Sequence, residues 1–441
     1  MKSTRSIQLF AGAITAVLSL QSVQAATGTW SGPTVTGNWD TTETNWTGVA
    51  AGAPWAAQGN NAVFDTANNV ATVNTSIFVD NWSIASSGNR LTIDAGQTVT
   101  AGKLSNGNLL IFGTGHTSNA DGNLLTINGT LNFGPTTNTS DVFRLGSDNG
   151  SNASSYNGIV INSGGMLKHV VAGGGTHNDQ VGPIAGADYN YVDINGGTFD
   201  RQGNQRFTVG VSGNYNTMTI RNGGTFTGTQ SMATWGGTGN RVLHIGDQGS
   251  GAVGTGSFNS VTINGPSSIA RIAQQLTVGG IANNSSNYLK VENGGTLYVA
   301  FSGNTSLVGG GAASNNNYIQ ATGTGSALNI SNSANGTRFL TIGNNATADN
   351  NHLDVLSGAT ADLRTGVILG ANSATNSKFN LGDGNGISTA SVGFAGVTAI
   401  SLASASSLLN INSGRLTANA TGSLVSGAGK VELNGPANAV H

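Results

Sequence analysis

The segment at residues 191–202 reads YVDINGGTFDRQ, and near copies follow at 218–229, MTIRNGGTFTGT, and at 289–300, LKVENGGTLYVA. In each copy, apolar residues alternate with polar ones before an Asn-Gly-Gly turn, and a second strand-like stretch follows the turn. Alternation of this kind is typical of β-strands with one buried face, and Asn-Gly is typical of tight turns. One pair of such strands cannot bury its apolar face alone, so we expect successive copies to stack on one another.

A second element alternates with this turn: a short apolar strand that ends in Gly and leads into an Asn-rich loop, as in FTVGVSGNYN at 207–216. The Gly residues that end this strand are Gly146, Gly182, Gly210, Gly246, Gly279, Gly309, Gly343 and Gly370. Their spacing averages 32 residues. The turn glycines that follow them are Gly164, Gly196, Gly223, Gly265, Gly294, Gly323, Gly358 and Gly384. This fixed alternation predicts solenoid repeats over 91–441, the last of them incomplete.

The composition favours an all-β chain. Only 8% of the 441 residues are charged, against about 25% in an average soluble protein. No stretch carries the apolar stripe with a 3.6-residue period that an amphipathic helix needs. We therefore predict a single elongated β-solenoid of roughly ten coils, on the order of 50 Å long at about 4.8 Å per coil. Asn side chains at equivalent corners are expected to stack into ladders.

One copy differs in register from the others. In YVDINGG, Val192 and Ile194 lie one residue nearer the turn than Leu289 and Val291 do in LKVENGG. We expect the corner to absorb this difference, because a slip within the strand would turn its apolar residues outward.

Residues 1–25 are typical of a secretory signal peptide. Lys2 and Arg5 precede an apolar run, and small residues lie at the positions before the predicted cleavage site after Ala25. The apolar run is shorter than the roughly 18 residues that span a bilayer, which disfavours a membrane anchor.

Region 26–90 contains five of the six Trp residues of the chain: Trp30, Trp39, Trp46, Trp55 and Trp82. The end of a solenoid needs an atypical segment that covers the exposed apolar interior and blocks edge pairing. We interpret this region as a Trp-rich N-terminal cap with the first coils. The alternative is a carbohydrate-binding surface of exposed indole rings.

Charge and cysteine content narrow the partners and the compartment. Without residues 1–25, the chain has 15 basic and 19 acidic residues and no basic cluster, so nucleic-acid binding is not expected. It has no Cys, and an exported protein without disulfides favours a bacterial origin. No segment after residue 25 is long and apolar enough to predict a membrane span. We expect a secreted protein, extracellular or at the bacterial cell surface.

Two segments resemble a known family. The opening TWSGPTVTGNWDTTETNW (29–46) with AVFDTANNVATV (62–73), and the closing GAGKVELNGPANAV (427–440), resemble secreted bacterial proteins built from autotransporter-associated β-strand repeats. Most of the mature chain is similar to this family in its general character, and these two ends are similar to it in detailed motifs. It implies an all-β fold: a right-handed parallel β-helix passenger, here a single elongated domain with the Trp-rich cap.

The resemblance also implies a C-terminal device, either an outer-membrane β-barrel or a sorting tail with a short apolar span. Neither is present up to His441. The chain is therefore expected to be either a fragment of a longer protein or a released one, and its end inside a repeat favours a fragment.

Motifs for chemistry are few. The sequence has no GxSxG, no P-loop and no HExxH, and its six His residues are scattered singly, so we predict no cofactor and no metal site. The loops GDGNG at 382–386 and SDNGSN at 147–152 lack the run of acidic ligands that Ca²⁺ prefers, and we interpret them as turns.

The most charged neighbourhood supports a second hypothesis, because right-handed β-helices also carry polysaccharide lyases and glycosidases. Superposing the turns of adjacent copies places Lys168 beside Asp200, and the same offset places His169 beside Arg201. A glycosidase needs two carboxylates roughly 5 to 10 Å apart, for which Asp193 and Asp200 are the candidates here. A ladder of surface ion pairs explains the same residues without catalysis.

We therefore predict a non-enzymatic β-solenoid that acts as a structural or adhesive passenger. Its expected partners are an extracellular glycan or surface ligand and an outer-membrane export or anchoring partner. The alternative is a β-helix polysaccharide lyase or glycosidase acting on extracellular glycans, and it requires four residues to face one groove: Asp193, Asp200, Lys168 and Arg201.

Overall fold

A computed structural model describes eighteen stretches of the chain. These are residues 26–30, 36–39, 46–47, 60–80, 82–101, 109–112, 120–134, 142–146, 153–170, 178–202, 206–228, 242–246, 255–301, 305–332, 339–393, 398–418, 423–434 and 439–440. The predicted signal segment 1–25, Trp55 and the loop SDNGSN lie outside the described residues.

The described strands form three long sheets, and each coil contributes one strand to each sheet. The first sheet has fifteen described strands: β1 (Ala26–Trp30), β3 (Trp46–Thr47), β4 (Asn60–Phe64), β7 (Trp82–Ile84), β10 (Leu109–Phe112), β13 (Val142–Leu145), β16 (Asn178–Val181), β19 (Arg206–Val209), β22 (Val242–Ile245), β25 (Gln275–Val278), β28 (Ser306–Val308), β31 (Phe339–Ile342), β34 (Gly366–Leu369), β37 (Ile400–Leu402) and β40 (Val425–Gly427).

The second sheet has fourteen described strands: β2 (Thr36–Asn38), β5 (Val70–Val73), β8 (Arg90–Ile93), β11 (Leu124–Ile127), β14 (Gly158–Asn162), β17 (Tyr191–Asn195), β20 (Thr217–Arg221), β23 (Ser260–Asn264), β26 (Tyr288–Glu292), β29 (Tyr318–Thr322), β32 (His352–Leu356), β35 (Lys378–Leu381), β38 (Leu408–Asn412) and β41 (Lys430–Asn434).

The third sheet has thirteen described strands: β6 (Ile77–Val79), β9 (Thr98–Ala101), β12 (Thr130–Phe133), β15 (Met166–Val170), β18 (Thr198–Gln202), β21 (Thr225–Thr227), β24 (Ile269–Ile272), β27 (Thr296–Phe301), β30 (Ala327–Asn332), β33 (Thr360–Arg364), β36 (Ser388–Val392), β39 (Gly414–Ala418) and β42 (Ala439–Val440). One turn of 3₁₀ helix, Ala371–Ser373, follows β34. Within the described residues, no helix has the length and apolar character needed to cross a membrane.

Except for β1 and β3 at the edge of the first sheet, neighbouring strands are three apart in the chain and run parallel, which is the connectivity of a parallel β-helix. Alternate residues of each strand face the interior, so Leu289 and Val291 of β26 are fully buried and align with Ile319 and Ala321 of β29. Each fully buried Leu, Ile or Val contributes about 1.5–3 kcal/mol of transfer free energy. The predicted all-β solenoid is therefore confirmed.

The glycines that predicted the repeat line up along the stack. All eight of the first set lie directly after strands of the first sheet, at positive φ between 62° and 108°. All eight of the second set lie between strands of the second and third sheets, at φ between 77° and 93°. The register difference is also confined to a corner, since Val192 is connected through aligned partners to Leu289.

A buried ladder of Asn side chains runs beside the first set of glycines, as predicted. Its ten members each directly precede a strand of the second sheet: Asn69, Asn89, Asn123, Asn157, Asn190, Asn216, Asn259, Asn287, Asn317 and Asn351. Asn123 donates to Asn157 Oδ1 from its backbone N at 3.0 Å and from Nδ2 at 2.9 Å. This pattern satisfies buried polar groups of the corner that would otherwise cost about 1–3 kcal/mol each.

The described Trp side chains fill the N-terminal end of the interior. Trp30, Trp39, Trp46 and Trp82 are at most 6% exposed and surround Phe64 or one another at centroid distances of 5.0 to 5.6 Å. The short strand β3 pairs antiparallel with β1 and occupies the edge of the first sheet. The packing suits a cap that covers the first coil, and it leaves these four rings no exposed face for a carbohydrate.

The stack contains more coils than predicted. The second sheet alone has fourteen described strands, against the roughly ten expected, and extends about 60 Å at about 4.8 Å per coil. Coils were missed because Asp65, Ala85 and Ala403 follow β4, β7 and β37 where the counted coils have the anchoring glycine, and because the early coils vary in length. Asn69 and Asn89 are only 20 residues apart, for example, whereas Asn89 and Asn123 are 34 apart.

Candidate functional site

The structure confirms the predicted neighbours in the third sheet, but the two pairs lie on opposite faces of that sheet. Lys168 aligns with Asp200, and His169 aligns with Arg201, in β15 and β18. Because successive side chains of a strand point to opposite faces, Lys168 and Asp200 lie on the outer face. His169 and Arg201 are 1% and 3% exposed and point into the solenoid.

The two inward side chains form a buried ionic cluster with Asp179, the second residue of β16. Asp179 Oδ2 lies 2.9 Å from His169 Nδ1 and accepts from Arg201 Nε, while Oδ1 accepts from the backbone N of Phe143 at 3.0 Å. Burial alone would raise the pKa of Asp179, but the interactions with His169 and Arg201 lower it well below its usual range. Arg201 is therefore committed to a structural ion pair.

The remaining candidate, Asp193, lies on a different sheet. Its carboxylate makes a two-pronged ion pair with Arg221 of the next coil, with Nε–Oδ1 2.9 Å and Nη2–Oδ2 2.7 Å. Asp200 instead accepts from Thr227 Oγ1 at 3.0 Å. The structure thus does not bring Asp193, Asp200, Lys168 and Arg201 to one groove. The cavity beside Arg201, about 10 Å³ in volume, has room for about one water molecule and not for a sugar.

The loop GDGNG is held by its own hydrogen bonds. Asp383 accepts from Ser357 Oγ at 2.5 Å and from the backbone N of Asn385 at 3.0 Å. Burial opposes the charged form of Asp383, but these hydrogen bonds lower its pKa. Within the described residues, no group of three or more His, Asp or Glu side chains is arranged to hold a metal ion.

The sequence analysis missed a column of exposed aromatic rings. Tyr156, Tyr189, Tyr215 and Phe258 each directly precede a member of the Asn ladder, and the rings stack along the solenoid axis. Their centroids are 4.9 to 5.0 Å apart, and successive planes are within 7° of parallel. The signal was present in the sequence as a recurring aromatic-Asn pair, but such a pair does not reveal that the rings lie on one exterior line.

The backbone of this aromatic column is unusual. The four aromatic residues have φ of 57° to 59°, a left-handed conformation that costs a bulky residue about 1–2 kcal/mol. Other coils place residues suited to this conformation at the same position, including Gly88, Gly122, Asn316 and Asn350. Ring stacking returns about 0.5–1.5 kcal/mol per pair, so it roughly offsets the strain and does not exceed it. A strained and exposed feature of this kind is a candidate functional site.

A second, half-buried stack lies at the start of strands in the second sheet. Tyr288, Tyr318 and His352 stack at centroid distances of 5.0 and 4.9 Å. Burial, followed by the proximity of Tyr288 and Asp354, raises the pKa of Tyr318 to about 12. These rings lie closer to the sheet than the aromatic column, which is 42% to 60% exposed.

Together these features define a parallel β-helix with an exterior aromatic column and no convergent set of the predicted catalytic residues. Comparisons of the chain with protein-family models, with characterised proteins and with solved structures gave no match. The resemblance to autotransporter-associated repeat proteins accordingly stays a prediction.

Proposed function

We propose that this protein is an exported, non-enzymatic passenger that acts as a stiff structural and adhesive rod at or beyond a bacterial cell surface. The observation that supports this most is the continuity of the stack, in which parallel strands join the described coils and the Asn ladder links ten of them. A rod with its backbone hydrogen bonds satisfied in this way extends without disulfides.

The composition supports the same proposal. The whole chain contains only 17 Lys and Arg residues, so it offers few trypsin sites, and those within a hydrogen-bonded stack are poor substrates. The predicted signal peptide supplies a route out of the cytoplasm.

Two measurements test the proposal separately. Small-angle scattering of the purified protein should give an elongated particle at least about 60 Å long with a constant cross-section. Antibody labelling of intact cells of the source organism should detect the protein without permeabilisation, and the N-terminal residue of the exported form should be Ala26. Labelling that requires permeabilised cells would contradict surface display.

A further inference from the structure

The aromatic column has two ends, one at Tyr156 and one at Phe258, where the next coil has Ser286 at the equivalent position. In the two coils before Tyr156, the equivalent positions are Gly122 and Gly88, which have no side chain to continue the stack. A Cβ at Gly122 would meet nothing within 4 Å. Tyr156 is accordingly 60% exposed, against 43% for Tyr189 and 42% for Tyr215, whose ring faces are covered by neighbours on both sides.

This open position has the size of one ring. The coil spacing of about 4.8 Å matches the observed ring separation, so a flat ring above Gly122 would continue the column at the spacing already present. The ring faces between Tyr156 and Phe258 are closed by stacking, with separations of 4.9 to 5.0 Å. The outer face of Phe258 has no ring above it either, but Tyr156 is the more exposed of the two terminal rings, at 60% against 48%.

Charged groups border the open position. Arg90 is exposed, and its Nη1 donates to the backbone O of Gly122 at 2.8 Å. The carboxylate of Asp121 accepts from the backbone N of Ser155, the residue before Tyr156, at 2.7 Å. A ligand ring at this position would have an aromatic surface below it, with a hydrogen-bond donor and an acceptor beside it.

We propose that the open face of Tyr156, above Gly122 and beside Arg90 and Asp121, binds a pyranose ring of a glycan chain. The C–H face of a pyranose is apolar and packs on an aromatic ring, while its hydroxyl groups at the rim pair with charged side chains. This inference rests on the proposed adhesive function and assigns it a site.

Two complementary substitutions test the site. Tyr156→Asn removes the aromatic face, whereas Gly122→Asn keeps Tyr156 and covers its face. Both are compatible with the backbone, because Asn316 and Asn350 occupy the same column at φ of 55° and 53°. The matched control is Phe258→Asn at the other end of the column. Circular dichroism and scattering check that each variant keeps the rod.

Binding is measured by isothermal titration with cellohexaose, mannohexaose and hexagalacturonate. We expect at least one to bind the parent protein, and both Tyr156→Asn and Gly122→Asn to weaken that binding by about tenfold or more, with Phe258→Asn unchanged. Preference for hexagalacturonate over the neutral sugars would show that Arg90 pairs with a carboxylate, and the reverse would show that it pairs with hydroxyl groups.

Three outcomes would overturn the proposal: no binding of any of the three sugars, parent-like binding by Gly122→Asn, or equal loss in the Phe258→Asn control. Concentration-dependent self-association that Tyr156→Asn abolishes would identify a second copy as the occupant and also overturn it. None of these outcomes affects the shape or the surface labelling of the rod, so the site can fail while the proposed function stands.

Discussion

At the scale of single residues, the corner between the first and second sheets depends on a Gly in one coil and an Asn in the next coil. The Asn side chain fills the space that a side chain at the Gly position would need. Gly279 has φ of 62°, and a Cβ there would overlap the amide of Asn317. Asn317 in turn is fully buried and donates to Asn351 Oδ1 from its backbone N at 2.9 Å. A side chain at the Gly position would therefore displace a ladder member as well as strain the backbone.

Gly279→Ala is predicted to lower stability by about 3 kcal/mol or more, because it adds left-handed strain to the loss of buried hydrogen bonds. The matched control is Gly323→Ala, where φ is 86° but the nearest atom to a Cβ is 3.7 Å away, so only strain of about 1–2 kcal/mol is expected. Chemical denaturation followed by circular dichroism compares the two. Equal losses would show that the Asn contact carries no extra stability.

The buried cluster around Asp179 predicts a dependence of stability on pH. Its pKa is lowered in the folded protein, so its stabilisation is fully present above the unfolded pKa of about 4 and is lost as pH falls toward the folded value. Asp179→Asn should cost about 3–5 kcal/mol at pH 7, because Arg201 is left buried without a counter-ion. The difference in free energy of unfolding between Asp179→Asn and the parent protein should shrink below about pH 4.

The control for this prediction is Asp362→Asn, which breaks a solvent-exposed pair with Arg364 and should cost about 0–1 kcal/mol. Free energies of unfolding are measured from pH 3 to pH 7. A deficit for Asp179→Asn that stays constant down to pH 3 would contradict the assignment of the charge to Asp179.

At the scale of the strands, the interior alternation is strict while the corners vary in length. The corner after β17 has two residues, Gly196 and Gly197, whereas the corner after β26 has three, residues 293–295. The strands on both sides keep their register through this difference. Corners are therefore the elements in which the fold accepts insertions and deletions.

Deleting Asn293 is predicted to cost little, about 1 kcal/mol, because the shortened corner reproduces the one after β17 and loses only an exposed hydrogen bond to Asn264. Deleting Lys290, inside β26, should be far more destabilising, because the shift brings residues of the outer face into the interior. Thermal unfolding of the two deletion variants measures the difference. A similar loss in both would mean that the corner length is fixed by packing.

At the scale of the whole molecule, the two ends of the described stack differ. The N-terminal end is filled by the Trp cluster around Phe64, which is fully buried. In the last strand of the second sheet, Val431 and Leu433 occupy the interior columns and are 44% and 59% exposed. In a molecule where each coil contacts mainly its neighbours, local stability depends on what covers each end.

Phe64→Ala is predicted to destabilise the cap by about 3–5 kcal/mol and to move the unfolding transition seen by Trp fluorescence, since the cluster supplies most of that signal. Circular dichroism, which reports every coil, should move less. The control, Leu353→Ala in β32, should shift circular dichroism more than fluorescence. Coincident shifts by both probes in both variants would show that cap and coils unfold as one unit.

The repeat in the sequence was enough to predict the class of fold, the alignment of the two glycine sets, the Asn ladder and the neighbours of Lys168 and His169. These features follow directly from the repeat, because a fixed period places equivalent residues above one another once the coils stack. The number of coils could not be predicted in the same way, since several coils, including those of β4, β7 and β37, lack the glycine that marked the period.

Only the tertiary structure decided which way the side chains face and which of them meet. The enzyme hypothesis needed Arg201 to share a groove with Asp200, but the alternation of the strand turned Arg201 inward to Asp179, which lies 22 residues away in the chain. The aromatic column likewise depends on left-handed corners that place Tyr156 and its successors on one exterior line. Periodicity therefore determined the stack, whereas the surface chemistry depended on contacts between coils that no single repeat contains.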